Sequence, residues 1–227
     1  MRFALFVPHI LFKGPLPRFA MTVTGEAWRA DPGYDEIVQA LWDKRVEAAA
    51  ARGHRLWDGT HYRLTHLEDI DGRGPLRLGT IPFRYMATYR ALHEQHGQRG
   101  LAPFHHLSTA ALLRTADGHY VFGKRAVNGA IDFIGGGLQV EDGSAPDFEH
   151  NIRKEIGEET GIGRHSLGTI AGLGIVLSTT SNVIVVGLLG TDLSRDGVLE
   201  AFAGREDDEM AEPVFVPEAR IDGYLHG

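Results

Sequence analysis

The sequence predicts an α/β (α+β) fold in which a mixed sheet and helices form an α/β/α sandwich, preceded by an N-terminal α+β extension. Apolar runs with strand spacing lie on both sides of one helical segment that ends at Gly161, which favours a sheet packed on a central helix. With 227 residues and a hydrophobic fraction of 43%, the chain is long and apolar enough for one large core.

Residues 1–103 are predicted to form the N-terminal accessory α+β region, and residues 104–227 the main domain. The boundary is placed in segment 98–103, which holds Gly100 and Pro103 and precedes a change of pattern. The accessory region is predicted to begin with a strand at residues 3–12 and a Pro- and Gly-bearing connection at 14–33. A helix at 34–46, a hairpin at 60–78 and a second helix at 83–96 are predicted to follow.

The main domain is predicted to be rich in strands around its central helix. Strands are expected at residues 107–114, 120–125, 131–134, 167–177, 182–189 and 213–216, and a short helix within 191–202. For the central helix, Ser144 and Asp147 form a start similar to a capping box, with Pro146 in the first turn. Its predicted buried face carries Phe148, Ile152 and Ile156 at a spacing of four.

The same helix carries three carboxylates that packing does not require. Glu155, Glu158 and Glu159 are neighbours on a helix surface, where like charges cost a few tenths of a kcal/mol per pair, about 0.2–0.5. A hard divalent cation such as Mg2+ would turn this repulsion into coordination. The glycines Gly135–Gly137 lie just ahead of the helix in the sequence.

Composition excludes several classes of function. The formal charge of −7, without a block of consecutive basic residues, disfavours nucleic acid as a partner. No apolar run approaches the roughly 20 residues of a membrane span, so no membrane association is predicted. The absence of cysteine removes disulfides, thiolate zinc sites and cysteine nucleophiles, and it fits a cytoplasmic protein.

The segment from Lys154 to Ile162, preceded by the triple glycine, resembles the Nudix box. That signature is Gly, five residues, Glu, seven residues, and then Arg-Glu-aliphatic-X-Glu-Glu-X-Gly-aliphatic. The second half matches at every specified position except the first, where Lys154 stands for the usual Arg. The resemblance extends over about residues 107–216 and implies a Nudix-type sandwich.

Two departures from the signature are visible. The loop between the glycines and the helix is about three residues longer, so counting back from Lys154 places Pro146 at the first Glu and Val140 at the Gly. Glu141 or Asp142 is the candidate replacement for the lost carboxylate. Lys154 can pair as a point charge but cannot reproduce the bidentate geometry of an arginine.

The resemblance implies hydrolysis of a nucleoside diphosphate derivative, a small molecule, with Mg2+ or Mn2+ as cofactor. It makes Glu158 and Glu159 metal ligands and Glu155 a ligand or the group that helps to deprotonate water, so all three are catalytic candidates. Further implied ligands are the carbonyl of Gly136 or Gly137 and the carboxylate of Glu209. Lys124 and Arg125, on the strand before the glycines, are candidate phosphate contacts.

The N-terminal region also resembles UDP-sugar diphosphatase-like Nudix proteins, through short matches that include Tyr62-Arg63-Leu64 and Phe83-Arg84. Under that resemblance Arg63 and Arg84 contact the substrate, which is a UDP-sugar. One alternative is a Nudix-fold module that senses a nucleotide without cleaving it, and a homodimer is compatible with the family. Isoprenoid diphosphate isomerisation on the same fold normally uses a cysteine, which this chain lacks.

Overall fold

The computed structural model of the chain describes residues 9–15, 19–30, 32–53, 55–71, 75–96, 104–126, 128–141, 145–178, 181–205 and 208–226. The strands are β1 His9–Lys13, β2 Met21–Ala27, β3 Thr60–Leu64, β4 Leu76–Pro82, β5 His106–Arg114, β6 His119–Arg125, β7 Ile131–Asp132, β8 Ala171–Leu177, β9 Asn182–Gly190 and β10 Met210–Pro217. The helices are α1 Pro32–Ala50, α2 Phe83–His96, α3 Phe148–Thr160, α4 Arg195–Ala203 and α5 Ile221–His226.

The strands form one mixed sheet, which confirms the predicted α+β class. Seven strands follow the order β1-β8-β9-β5-β3-β4-β2, while β6 joins the end of β5 and carries β7 and β10. The β5–β9 and β2–β4 pairs are parallel, and the other pairs of named strands are antiparallel. Strands of both predicted regions share this sheet, because Arg63 of β3 pairs with His106 of β5.

One edge of β5 is divided among three partners. β9 pairs with the other edge along its full length, whereas β3 reaches only His106 and β6 only Leu113 and Arg114. Between β3 and β6 lies the glycine segment, residues 134–139, which bridges to β5 through Gly137 and Ile134. The sheet therefore holds the glycine segment beside its central strand.

Apolar packing fixes α3 against the sheet on the side of β5. Ile152 and Ile156 are buried together with Ala111, Leu113 and Leu189 in one core cluster, as the predicted buried face requires. A second cluster lies among β3, β4, β8 and β9, and a third joins α1 and α2 to Ile81 and Phe104. Burial of Ile152 and Ile156 thus fixes the rotation of α3 about its axis, and with it the direction of the neighbouring polar face.

Several details differ from the prediction. Strand β2 lies within the segment predicted to be a connection, and α5 was not predicted. Helix α3 begins at Phe148, with Asp147 as its N-cap, so Pro146 precedes the helix and does not lie in its first turn. Residues 3–8, the boundary segment 98–103, Asp142 and Ser144 lie outside the described residues.

Replacing Ile156 by Ala should lower the free energy of unfolding by about 2–5 kcal/mol, because the side chain is fully buried and its removal leaves a cavity. The control is Leu199→Ala on α4, where the side chain is 40% exposed and the loss should be below about 1 kcal/mol. Urea unfolding followed by circular dichroism measures both. Equal losses in the two variants would contradict the placement of α3 on the core.

Candidate active site

Helix α3 presents three polar side chains to the glycine segment. Asn151, Glu155 and Glu159 recur every four residues, which places them on one face, and each is buried. Burying two carboxylates is unfavourable unless hydrogen bonds or cations compensate them. This row of side chains is therefore a candidate site and not an ordinary part of the core.

Backbone hydrogen bonds hold the glycine segment from both sides. On the β5 side, the Thr109 and Ala111 N–H groups donate to the carbonyls of Gly136 (2.9 Å) and Ile134 (2.7 Å). On the β3 side, the Tyr62 N–H donates to the Leu138 carbonyl at 2.8 Å. The segment therefore behaves as a short strand inserted between β6 and β3.

Each of the three glycines is in close contact with a different neighbour. A Cβ atom at position 135 would lie 2.2 Å from the Thr109 carbonyl oxygen, and one at position 136 would lie 2.3 Å from Glu155 Oε2. At position 137 it would lie 2.3 Å from His61 Nδ1. The three glycines thus allow strand β5, the Glu155 carboxylate and the His61 imidazole to approach the same backbone segment closely.

The carboxylate of Glu159 is only partly compensated. The Gly135 N–H donates to Glu159 Oε2 at 3.0 Å, and Arg125 adds a favourable positive charge. Burial opposes both and raises the pKa of Glu159 to about 8, with further contributions from the negative charges of Glu155 and Glu209. Three of the predicted ligands, Glu155, Glu159 and Glu209, are therefore close enough for their charges to interact.

Glu158 lies further out than its two neighbours. Its side chain is 50% exposed, and Lys154 Nζ lies 3.7 Å from its Oε2 atom and 3.8 Å from Oε1 of Glu155. The ammonium group is thus a point charge between two carboxylates, as expected for a lysine at this position of the signature. The structure brings Glu155 and Glu159 together and leaves Glu158 at the edge of the site.

The donor chemistry fits a hard divalent cation. Within the described part of the chain, no three His, Asp or Glu side chains converge closely enough to hold an ion by themselves. Mg2+ does not require such a cage, because it keeps several waters and binds through one or two carboxylates together with substrate phosphates. The buried pair of Glu155 and Glu159 is a donor set of that kind.

Arg125 and Glu209 are placed beside this pair. Arg125 Nη1 lies 3.3 Å from Glu209 Oε2, and the Arg125 Nε–H group donates to Asp132 Oδ2 at 3.1 Å. Lys124 instead forms an exposed ion pair with Glu212 at 2.7 Å. Of the two predicted phosphate contacts, Arg125 is therefore the one next to the carboxylates.

The N-terminal arginines are already occupied by acids. Arg63 is buried and paired with Glu26, and Arg84 is paired with Asp58 at 2.5 Å. For either guanidinium group to contact a substrate, its ion pair with the acid would have to break, or the group would have to bind the acid and the substrate at the same time. Glu141, the candidate replacement carboxylate, lies 3.9 Å from Nε2 of His150 and borders a cavity at the start of α3.

Sequence reasoning missed a pair of buried histidines beside the glycine segment. His61 Nδ1 lies 3.1 Å from His106 Nε2, and the His61 ring stacks on Phe83. Burial, and then the charge of Lys154, lowers the pKa of His61 to about 4, and burial holds the pKa of His106 well below its usual value. Both rings are therefore neutral at pH 7. No local pattern in the sequence signals this contact, because it joins the neighbouring strands β3 and β5, which are distant in sequence.

Comparison with known proteins gives no sequence relative: no protein-family model and no curated protein matches the chain. Among solved structures, it is similar to a MutT protein from Methanosarcina mazei, with 23% identity over 52% of this chain and 80% of that one and a TM-score of 0.40. It is also similar to a Nudix-family hydrolase from Clostridium perfringens, with 12% identity over 52% of this chain and 85% of that one and a TM-score of 0.41. A third similar structure is an Ap4A hydrolase from C. elegans, with 12% identity over 53% of this chain and 98% of that one and a TM-score of 0.37. Because these TM-scores are below 0.5, the similarities do not by themselves assign the chain to a family.

Among the described residues, no helix combines the length and the apolar character that crossing a bilayer requires.

Replacing Gly136 by Ala should displace the Glu155 carboxylate, because the new Cβ would lie 2.3 Å from its Oε2 atom. We expect a loss of unfolding free energy of about 1–3 kcal/mol, typical of overpacking. The control is Gly33→Ala in the first turn of α1, where no atom lies within 4 Å of the added Cβ and stability should stay equal or rise by about 0.4–1 kcal/mol. Chemical unfolding measures both, and an unchanged Gly136→Ala protein would contradict the close approach.

Proposed function

We propose that the chain is a Nudix-type pyrophosphohydrolase, which uses Mg2+ or Mn2+ to hydrolyse the diphosphate linkage of a nucleoside diphosphate derivative. The observation that carries this proposal is the burial of Glu155 and Glu159 against the glycine segment, within a stretch that matches the second half of the Nudix box. The products are a nucleoside monophosphate and a phosphorylated compound.

In this proposal Glu159 would hold the metal from the buried side of the site and Glu158 from its exposed side. The bound cation would neutralise charge on the diphosphate and lower the pKa of the attacking water. Hydrolysis of a phosphorus anhydride depends mainly on positioning and charge stabilisation, so it needs no nucleophilic side chain. Glu155 acts either as a ligand or as the base that accepts a proton from water.

Cationic side chains border the carboxylates on two sides. Lys154 lies against Glu155 and Glu158, and Arg125 lies against Glu209. If a bound metal took over the compensation of the carboxylates, both cationic side chains could form hydrogen bonds with phosphate oxygens of the substrate. Gly137 and Glu209 remain the further proposed ligands.

We further propose that the substrate is a nucleotide sugar such as a UDP-sugar, that residues 1–103 help to shape its pocket, and that the enzyme acts in the cytoplasm. The support for the substrate is the sequence around Arg63 and Arg84, which resembles the UDP-sugar diphosphatase-like branch. Because Glu26 and Asp58 hold these arginines, their contribution would be to order the β3–α2 region unless the substrate displaces the acids.

One observation favours the alternative of a nucleotide sensor that does not cleave its ligand. Lys154 lies within 4 Å of two carboxylates, so an internal ammonium already occupies part of the space where a metal would compensate charge. A site of this kind can bind a nucleotide and hydrolyse it slowly or not at all. Turnover therefore decides between the two functions.

Glu155→Gln and Glu159→Gln should each reduce hydrolysis by at least about 100-fold, because each removes a charge that stabilises the metal-bound transition state. The assay incubates the protein with Mg2+ and UDP-sugars, ADP-ribose, dinucleoside polyphosphates or CoA, and measures nucleoside monophosphate release. The control is Glu149→Gln, an exposed glutamate of the same helix that pairs with Arg153. It should retain full activity.

Unchanged turnover in both variants would show that the carboxylates are not the catalytic group. If the wild-type protein cleaves nothing while UDP-glucose raises its melting temperature, the sensor function replaces the hydrolase. Turnover that persists in excess EDTA would exclude the proposed cofactor.

Mg2+ should stabilise the wild-type protein, since a ligand that binds only the folded state at about 100 times its Kd adds roughly 2.7 kcal/mol. Glu159→Gln should lose most of this increase, because it removes one of the two buried donors. Thermal unfolding in EDTA and in rising Mg2+ measures the effect, with Glu149→Gln again as control. An equal Mg2+ response in all three proteins would place the metal elsewhere.

A further inference from the structure

A small cavity of about 240 Å³ lies at the start of α3. Tyr62 and Leu138, both buried, line its inner part, Gln139 and Asn151 contribute amide groups, and Glu141 and His150 also line it. Pockets for drug-sized ligands measure roughly 300–1,000 Å³, so this cavity is suited to a single ring and not to a whole nucleotide.

The cavity continues the row of polar side chains on α3. Asn151 lines the cavity and precedes Glu155 on the same helix face by about one turn, or roughly 5.4 Å along the axis. Its orientation is fixed, because Nδ2 donates to Thr109 Oγ1 at 2.8 Å and lies 3.5 Å from the Gly136 carbonyl. A substrate whose diphosphate lies at Glu155 and Glu159 would therefore extend one of its ends into the cavity.

The chemistry of the lining selects what that end can be. Among the described residues that line the cavity, none is a lysine or arginine, whereas Glu141 and Asp147 are both acidic. A phosphate or carboxylate would be disfavoured there by the two acids, and the Glu149 and His150 N–H groups at the start of α3 already donate to Asp147 Oδ1. Amide groups and a carboxylate instead suit hydroxyl groups, which donate to the carboxylate and exchange hydrogen bonds with the amides.

We propose that this cavity is the subsite for an uncharged, hydroxyl-bearing ring of the substrate, that is, a sugar. The proposal deepens the proposed function and rests on it for the position of the diphosphate. In this arrangement Gln139, Glu141 and Asn151 determine specificity, while the carboxylates of α3 act on the linkage. Tyr62 and Leu138 supply the apolar surface against which one face of the ring packs.

The test is calorimetric titration in Ca2+, a hard cation that can hold the diphosphate at the carboxylates, with two pairs of probes that differ by a sugar. Nucleoside monophosphate is measured in the same samples, and only titrations without release are compared. UDP-glucose is compared with UDP, and ADP-ribose with ADP. The wild-type protein should bind at least one sugar nucleotide about tenfold or more tightly than its partner, a difference that one charge-assisted hydrogen bond can supply.

Ala145→Phe should fill the cavity and reduce this preference to less than about twofold. The matched control, Ala203→Phe at the exposed end of α4, should keep it. If Ala145→Phe fails to fold, Glu141→Ala serves instead, because this side chain is exposed and its loss should weaken the preference by about tenfold.

Either the absence of any preference in the wild type, or a preference that survives both cavity variants, overturns the subsite. These results differ from failure of the hydrolase. Nucleoside monophosphate release in Mg2+ without a cavity-dependent preference leaves the function intact and rejects the subsite. A cavity-dependent preference without release in Mg2+ rejects hydrolysis and keeps the subsite.

Discussion

The site depends on the close approach of one backbone segment to three different neighbours. Residues 134–139 fill the gap on the edge of β5 between β3 and β6, and at the same time they contact α3 and His61. A Cβ atom at position 135 would lie 2.2 Å from the Thr109 carbonyl oxygen, so backbone packing requires glycine there. At positions 136 and 137 an added Cβ would lie 2.3 Å from the side chains of Glu155 and His61, which would have to leave their present positions. The geometry of the candidate site and the continuity of the sheet therefore depend on the same segment.

The electrostatics of this arrangement are unfavourable in the free protein. Glu155 and Glu159 are buried one turn apart, and the described hydrogen bond to Glu159 comes from a single amide, that of Gly135. Sequences usually satisfy local preference, packing and charge together, and departures from that consistency concentrate at functional sites. The apolar residues Ile152 and Ile156 anchor the same helix, so packing holds the two carboxyl groups in place. Burial raises the pKa of Glu159 to about 8, which favours its protonated form at neutral pH, whereas a bound cation would favour the ionised form.

The sequence predicted those parts of the site whose residues are close together in the chain. The arrangement on α3 could be predicted because helical spacing places Glu155 and Glu159 on one face, and Gly161 ends the helix in the expected left-handed conformation. Strand β2 was missed because its alternation is confined to residues 21–24 and ends at Gly25, within a segment bounded by Pro and Gly residues. His61 and His106 were missed because their contact joins two strands that are distant in sequence, and no local pattern encodes such pairing. Partners of Arg63 and Arg84 were unpredictable for the same reason.

The departures from the Nudix signature and the cavity have a common structural origin. Because α3 begins after the Asp147 cap, Pro146 lies outside the helix and cannot replace the first glutamate of the signature as a helical residue. Glu141, Ala145 and Pro146, which belong to the longer loop, line the cavity. Glu141 therefore lies at the end of the site where Asn151 begins the polar row. Under the proposed function, the acid missing from the helix would have its counterpart in the wall of the proposed sugar subsite, so that one change of loop length would bear on metal binding and on substrate choice together.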